Sequence, residues 1–128
     1  KNPIIHPLWM DLAHPSTAQG WELAERMSLM ERHLPKLILA LAIVHHLRIS
    51  AQIPLIRQAE WLARIAPALI IEFVDKGDPK VQKMLINRKD VFHDYNQAGF
   101  EEAFQHHFDI LQMHSMTTRT LYRMKRKS

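Results

Sequence analysis

The sequence predicts an α/β fold with parallel crossovers and a C-terminal antiparallel hairpin. Three observations carry that reading. Two apolar runs, Leu37 to Val44 and Ala68 to Val74, read as buried strands. Helical segments with start and stop signals alternate with them. The last stretch, Phe108–His114 and Thr118–Lys125, reads as two strands joined by a short turn.

In chain order, Ile4 to Leu12 is strand-like, and Pro7 within it places it early or at an edge. Ala13 to Gly20 is a loop rich in Pro, Ser and Thr. Trp21 to Arg32 is helical, with Trp21, Ala24, Met27, Leu29 and Met30 near one face and Glu22, Glu25, Arg26 and Glu31 largely opposite. Pro35 ends it. The run Leu37 to Val44 follows, closed by His45-His46-Leu47, and then a loop from Arg48 to Ile53. Pro54 suits the first turn of a helix reaching Ile65, with Leu55, Ala59, Leu62 and Ile65 or Ala66 inward. Pro67 stops it, and Ala68 to Val74 is the second buried strand. Asp78 is an N-cap and Pro79 a first helical residue for a helix reaching about Arg88. A further helix spans Gln97 to His106, ahead of the hairpin. Trp9, Trp21, Trp61 and Phe73 are expected in the core, with Trp21 also a neighbour of the loop that follows Asp11.

Composition narrows the function classes. A chain of 128 residues with 47% hydrophobic content is long enough for a real core and too apolar for disorder. No apolar segment nears the ~20 residues of a membrane span, and no signal peptide is read at Lys1-Asn2-Pro3. The first residue is Lys, so the chain is expected to be part of a longer product. The absence of cysteine removes disulfides, thiolate metal sites and Cys nucleophiles, and fits a cytoplasmic setting. Net charge is +4, with much of the excess between Arg119 and Lys127. That tail is read as a solvated final strand with a frayed end rather than a nucleic-acid interface, because no basic-aromatic stacking motif accompanies it.

The chemistry-bearing residues are few. His45 and His46 stand at a predicted strand end, where ligands sit in open α/β sheets. A histidine there suits a general base, a substrate contact, or a cap for the following loop. Neighbouring strand residues point apart, so the pair does not match a metal site, and the same holds for His106-His107. Glu72 interrupts an apolar strand, so it either lines a site or pairs with a cation such as Arg48. Asp11 ends the first predicted strand or opens a turn before Pro15.

Met10 to Ser16, Leu41 to Leu47, Ile70 to Lys76 and Arg119-Thr120-Leu121-Tyr122 together resemble class I S-adenosylmethionine-dependent methyltransferases. The wording is most similar to the NoeA-like nodulation-protein methyltransferases. The resemblance covers essentially the whole chain but only the second half of that family's Rossmann-like fold, whose sheet order is 3-2-1-4-5-7-6 with the last strand antiparallel. It implies that Ile4–Leu12, Leu37–Val44, Leu69–Val74, Phe108–His114 and Thr118–Lys125 are the third, fourth, fifth, sixth and seventh strands. The first two strands, with the glycine loop that cradles the cofactor, have no counterpart, since Gly20, Gly77 and Gly99 form no such loop. The expected sheet therefore has the order 4-5-7-6, with residues 1–35 displaced or docked on another copy. The cofactor implied is S-adenosylmethionine. Asp11 and Leu12 would meet its adenine, Ala40 and Leu41 would lie near its reactive methyl group, and His45 or His46 would serve catalysis. The isolated chain is expected to be inactive, with an unidentified methyl acceptor. The competing reading is a non-enzymatic half-fold that self-associates through unpaired strands as a binding or assembly module. Neither a specific nucleic acid nor a membrane is an expected partner.

Overall fold

In chain order, the elements are β1 (Leu37–Ala40), a short π-helical turn (His46–Ser50), α1 (Leu55–Ile65), β2 (Ala68–Val74), α2 (Pro79–Leu85), α3 (Gln97–Gln105), β3 (Phe108–Ser115) and β4 (Arg119–Arg126). They come from a computed structural model that describes residues 35–86 and 88–128. The expectations placed on Ile4–Leu12, Asp11, Leu12, Trp9, Trp21 and Trp21–Arg32 lie outside the described residues.

The four strands form one sheet in the order β1-β2-β4-β3. β1 and β2 are parallel, and β4 runs antiparallel to both β2 and β3. The expected order 4-5-7-6 is thus the order observed among the described strands. β4 lies between β2 and β3, as that order requires, and its basic residues Arg123, Lys125, Arg126 and the following Lys127 are exposed, in keeping with a solvated final strand. Arg126 donates to the Ala63 carbonyl at 2.7 Å, and Arg119 is engaged in ion pairs described below.

Local chemistry explains where most elements begin. The Pro54 carbonyl accepts from the Arg57 and Gln58 amides, so Pro54 caps α1 one residue ahead of its first turn. Ala66 leaves α1 in extended conformation before Pro67, a residue that disfavours helix in its predecessor. The Asp78 carboxylate accepts from the Lys80 amide at 2.9 Å, with Pro79 at the first helical position, as its sequence position predicts. α2 ends at Leu85, earlier than the expected Arg88. Asn96 caps α3 through the Gly99 amide at 2.7 Å.

One face of the sheet carries the core. Ile38, Ala40, Leu69, Ile71, Phe73, Tyr122 and Met124 alternate onto it, and α1 and α3 cover it. The α1 residues expected inward (Leu55, Ala59, Leu62, Ile65 and Ala66) are all buried. Burial of each such leucine contributes roughly 1.5–3 kcal/mol. An aromatic chain links sheet to helix. Phe73 and Phe100 are 5.2 Å apart between ring centroids, Phe100 and Tyr122 5.1 Å, and Phe100 and Phe104 4.5 Å. Phe73 is core as expected, whereas Trp61 only packs against the core, half-buried.

The run that opens the described chain behaves differently from its sequence reading. β1 ends at Ala40, not Val44. Ala42 takes the left-handed conformation with φ of 55° and turns the chain out of the sheet. Leu37, Leu39 and Leu41 are 46%, 63% and 54% exposed, so this strand is not buried on both faces. The expected loop from Arg48 to Ile53 is partly the π-helical turn, in which the Ala51 amide donates to the His46 carbonyl.

Candidate functional site

The parallel strands β1 and β2 end at the same edge of the sheet, and β4 begins there because it runs the opposite way. That shared edge collects the polar groups. Glu72, two residues before the end of β2, projects to the face opposite α1 and α3. Its Oε1 accepts from the Ala42 amide at 2.9 Å and from Arg119 Nη1 at 3.2 Å. Arg119, the first residue of β4, also reaches Asp78 Oδ2 at 3.3 Å through Nε. Thr118 Oγ1 donates to the same Asp78 oxygen at 2.6 Å. One guanidinium therefore ties the turn after β1, the end of β2 and the cap of α2 into a single cluster.

Electrostatics follow from these contacts. The Thr118 hydroxyl, the Lys80 amide and Arg119 together hold the Asp78 carboxyl below the usual carboxylate range, against the opposing effect of burial. Glu72 keeps most of its side chain out of water, and its two donors satisfy the oxygen that faces them. Its partner is Arg119. The suggested Arg48 is committed elsewhere, to Asp94 at 2.9 Å and across the Phe92 ring.

His45 and His46 sit in a helical turn beyond Ala42, not directly at a strand end. Their rings lie 4.3 Å apart between centroids and tilted by 39°. His45 is 1% exposed and its Nδ1 has no hydrogen-bond partner. Burial, followed by the fields of His46 and Arg119, lowers its pKa to about 4. His45 is thus a neutral ring near physiological pH, able to accept or donate one hydrogen bond. His46 is exposed and free to meet solvent or a ligand. Ala40 is buried toward the helices, whereas Leu41 is exposed at the rim beside Ala42.

Among the described residues, no group of three or more His, Cys, Asp or Glu side chains is arranged to hold a metal. No helix among them is long and apolar enough to cross a membrane. Sequence reasoning missed Arg119, Asp78 and Thr118 as one cluster. Glu72 was the available signal, because an acid inside an apolar strand requires a cation. Pairing β2 antiparallel to the last strand brings Arg119 opposite Val74, one step from it.

The architecture defines a mixed α/β protein with an open four-stranded sheet and a polar cluster at the ends of its parallel strands. Over 122 residues, 94% of its length, the chain is 39% identical to the nodulation protein NoeA of Rhizobium meliloti (strain 1021), which supports a NoeA-like relationship. The match covers 26% of that protein, so the chain spans about a quarter of its relative. No family model and no solved structure matches.

Proposed function

We propose that this chain is the C-terminal sheet half of an S-adenosylmethionine-dependent methyltransferase that acts only as part of a longer polypeptide. The observation that carries the reading is the strand order β1-β2-β4-β3 with β4 reversed. It is the order 4-5-7-6, with an antiparallel seventh strand, that the resembled methyltransferases use in their second half. The partial match to a much longer relative supports a chain that is one portion of a larger unit.

The described residues supply only one wall of a cofactor site. Leu41 offers an exposed apolar rim, and the Ala42 amide and the Glu72 carboxylate already satisfy each other. Gly77 and Gly99 lie in a turn and in α3, so neither belongs to a phosphate- or methionine-cradling loop. A nucleoside sulfonium would need the remaining wall from outside the described residues. His46 is the exposed member of the histidine pair and the one proposed to face an acceptor, with His45 packed behind it. Methyl transfer from a sulfonium rests mainly on alignment of acceptor and methyl group.

Calorimetry with S-adenosylmethionine tests the reading. A full-length NoeA-like polypeptide containing this chain is expected to bind it, and the 128-residue chain alone to bind weakly or not at all. No binding by the full-length polypeptide overturns the proposal.

A further inference from the structure

Among the described residues, two hold a left-handed backbone without being glycine: Ala42 at φ 55° and Gln52 at φ 57°. They bracket one segment. Between them lie Val44 and His45 in a helical turn, followed by the π-helical turn His46–Ser50. Left-handed residues that carry a Cβ and short π-helical stretches are both uncommon, and both concentrate at functional sites. A strained backbone of this kind persists only where its surroundings over-determine it. Closing the sheet does not require it, because β1 and β2 are already paired over Leu37–Ala40, ahead of the segment.

The segment is held from both ends. At its start, Glu72 Oε1 accepts from the Ala42 amide at 2.9 Å and fixes the residue that turns the chain out of β1. At its end, Arg88 Nη1 donates to the Ile49 carbonyl at 2.7 Å, within the π-helical turn. The neighbouring Arg48 is bound by Asp94 at 2.9 Å and lies across the Phe92 ring. Residues 88–94 therefore form a strap along the far end of the segment. Lys76 anchors that strap to the turn after β2, donating to Asp90 Oδ2 at 2.9 Å and to the Phe92 carbonyl at 2.7 Å. Val44, His45 and Ile49 are buried, whereas His46 points outward.

We infer that Glu72 and Arg88 are positioning residues for the site at the ends of β1 and β2. Glu72 acts through the Ala42 amide and Arg88 through the Ile49 carbonyl, and together they fix the backbone of residues 42–52 that carries His46. This role rests on the methyltransferase reading, in which the segment directly follows Ala40 and Leu41, the residues assigned to the reactive methyl group. Neither positioning residue touches cofactor or acceptor. The two bonds of Glu72 serve different ends: the one to Ala42 sets the turn, and the one to Arg119 neutralises the carboxylate. Substitution separates them. Glu72→Gln keeps an acceptor for the Ala42 amide and gives up the charge, whereas Glu72→Leu gives up both.

The test uses the full-length NoeA-like polypeptide that contains this chain. Hydrogen–deuterium exchange by mass spectrometry reads the segment, and calorimetry reads S-adenosylmethionine affinity. Glu72→Leu and Arg88→Met are each expected to speed exchange in peptides covering residues 41–53 and to weaken binding about tenfold. Glu72→Gln and Arg88→Lys, which keep an acceptor and a donor in place, are expected to hold both readouts near the parent's. Phe104→Leu, in the aromatic core of α3, is expected to lower the melting temperature and leave both readouts unchanged. Parent-like affinity or parent-like exchange in either Glu72→Leu or Arg88→Met overturns the inference. So does a Glu72→Gln polypeptide as impaired as Glu72→Leu, since the charge would then matter and the amide bond would not. An equal loss of affinity in Phe104→Leu also overturns it, because binding would then follow stability alone. A parent polypeptide that binds no S-adenosylmethionine is a separate failure: it overturns the methyltransferase reading, and the positioning role falls with it.

Discussion

Arg119 and Glu72, 47 positions apart in sequence, meet at 3.2 Å across the junction of β4 and β2. The contact joins the last strand in chain order to the turn that leaves the first, because Glu72 also holds the Ala42 amide.

Replacing Arg119 by Met leaves Glu72 and Asp78 without their shared cation. Each keeps other donors, and the guanidinium is partly solvated, so the loss is smaller than for a fully buried pair. Urea unfolding is expected to show a destabilisation of about 1–3 kcal/mol. Adding Glu72→Gln is expected to recover part of it, since the amide removes the uncompensated charge.

Ala42 sits at φ 55°, a conformation that costs an L-residue with a Cβ roughly 1–2 kcal/mol. Ala42→Gly removes that strain at the expense of a more flexible unfolded chain. A net gain of up to about 1 kcal/mol is expected, read as a higher melting temperature. A lower melting temperature would mean that the methyl group itself is needed at the turn.

His45 gives the fold an acid sensitivity of definite sign. Its folded pKa of about 4 lies below the ordinary value of 6.5, so the unfolded chain binds its proton first. The stability it confers is complete above pH 6.5 and is lost as pH falls toward 4, by up to about 1 kcal/mol per pH unit. The carboxyls of Asp78 and Asp90 are held below the usual range, so their contribution fades only at the acid end of this window and beyond it. Melting temperatures between pH 7 and 4 are expected to fall less steeply for His45→Phe than for the parent chain.

Gly99 is fixed by crowding. A Cβ there would lie 2.1 Å from the Asp94 carbonyl oxygen and 3.3 Å from the Asn96 side chain that caps α3. Gly99→Ala must displace backbone, and overpacking of that kind costs about 1–3 kcal/mol. Unfolding measurements are expected to show that loss, even though alanine is the better helix former.

The parts of the fold that sequence makes legible are those with local punctuation. Pro67 and Asp75 bracket β2, whose observed range, Ala68–Val74, is the range read from sequence. Asp78-Pro79 marks the start of α2 in the same way. The end of β1 carries no such mark. The apolar run continues through Leu41 and Ala42, and alanine is not a residue that announces a left-handed turn. The expected strand therefore runs four residues too far and places the histidine pair at its end, whereas Val44 and His45 are helical and His46 opens a π-helical turn. The Glu72 cluster was half legible. The need for a cation is local, but its identity depends on the register between β2 and β4. The aromatic core escaped for a similar reason. Phe100 and Phe104 lie on a helix and Tyr122 on a strand, and only the packed sheet brings them together.

The central position of β4 has a consequence for synthesis. β2 and β3 do not pair with each other, and both bond to β4, the last of the four strands to leave the ribosome. While residues up to Ser115 are emerging, β1 and β2 can form a parallel pair, but β3 has no neighbour to bond. β3 and β4 are joined by residues 116–118, so the two can add to the exposed edge of β2 as one hairpin, with β4 as the pairing strand. Completion of the sheet therefore waits for the last of the four strands in chain order.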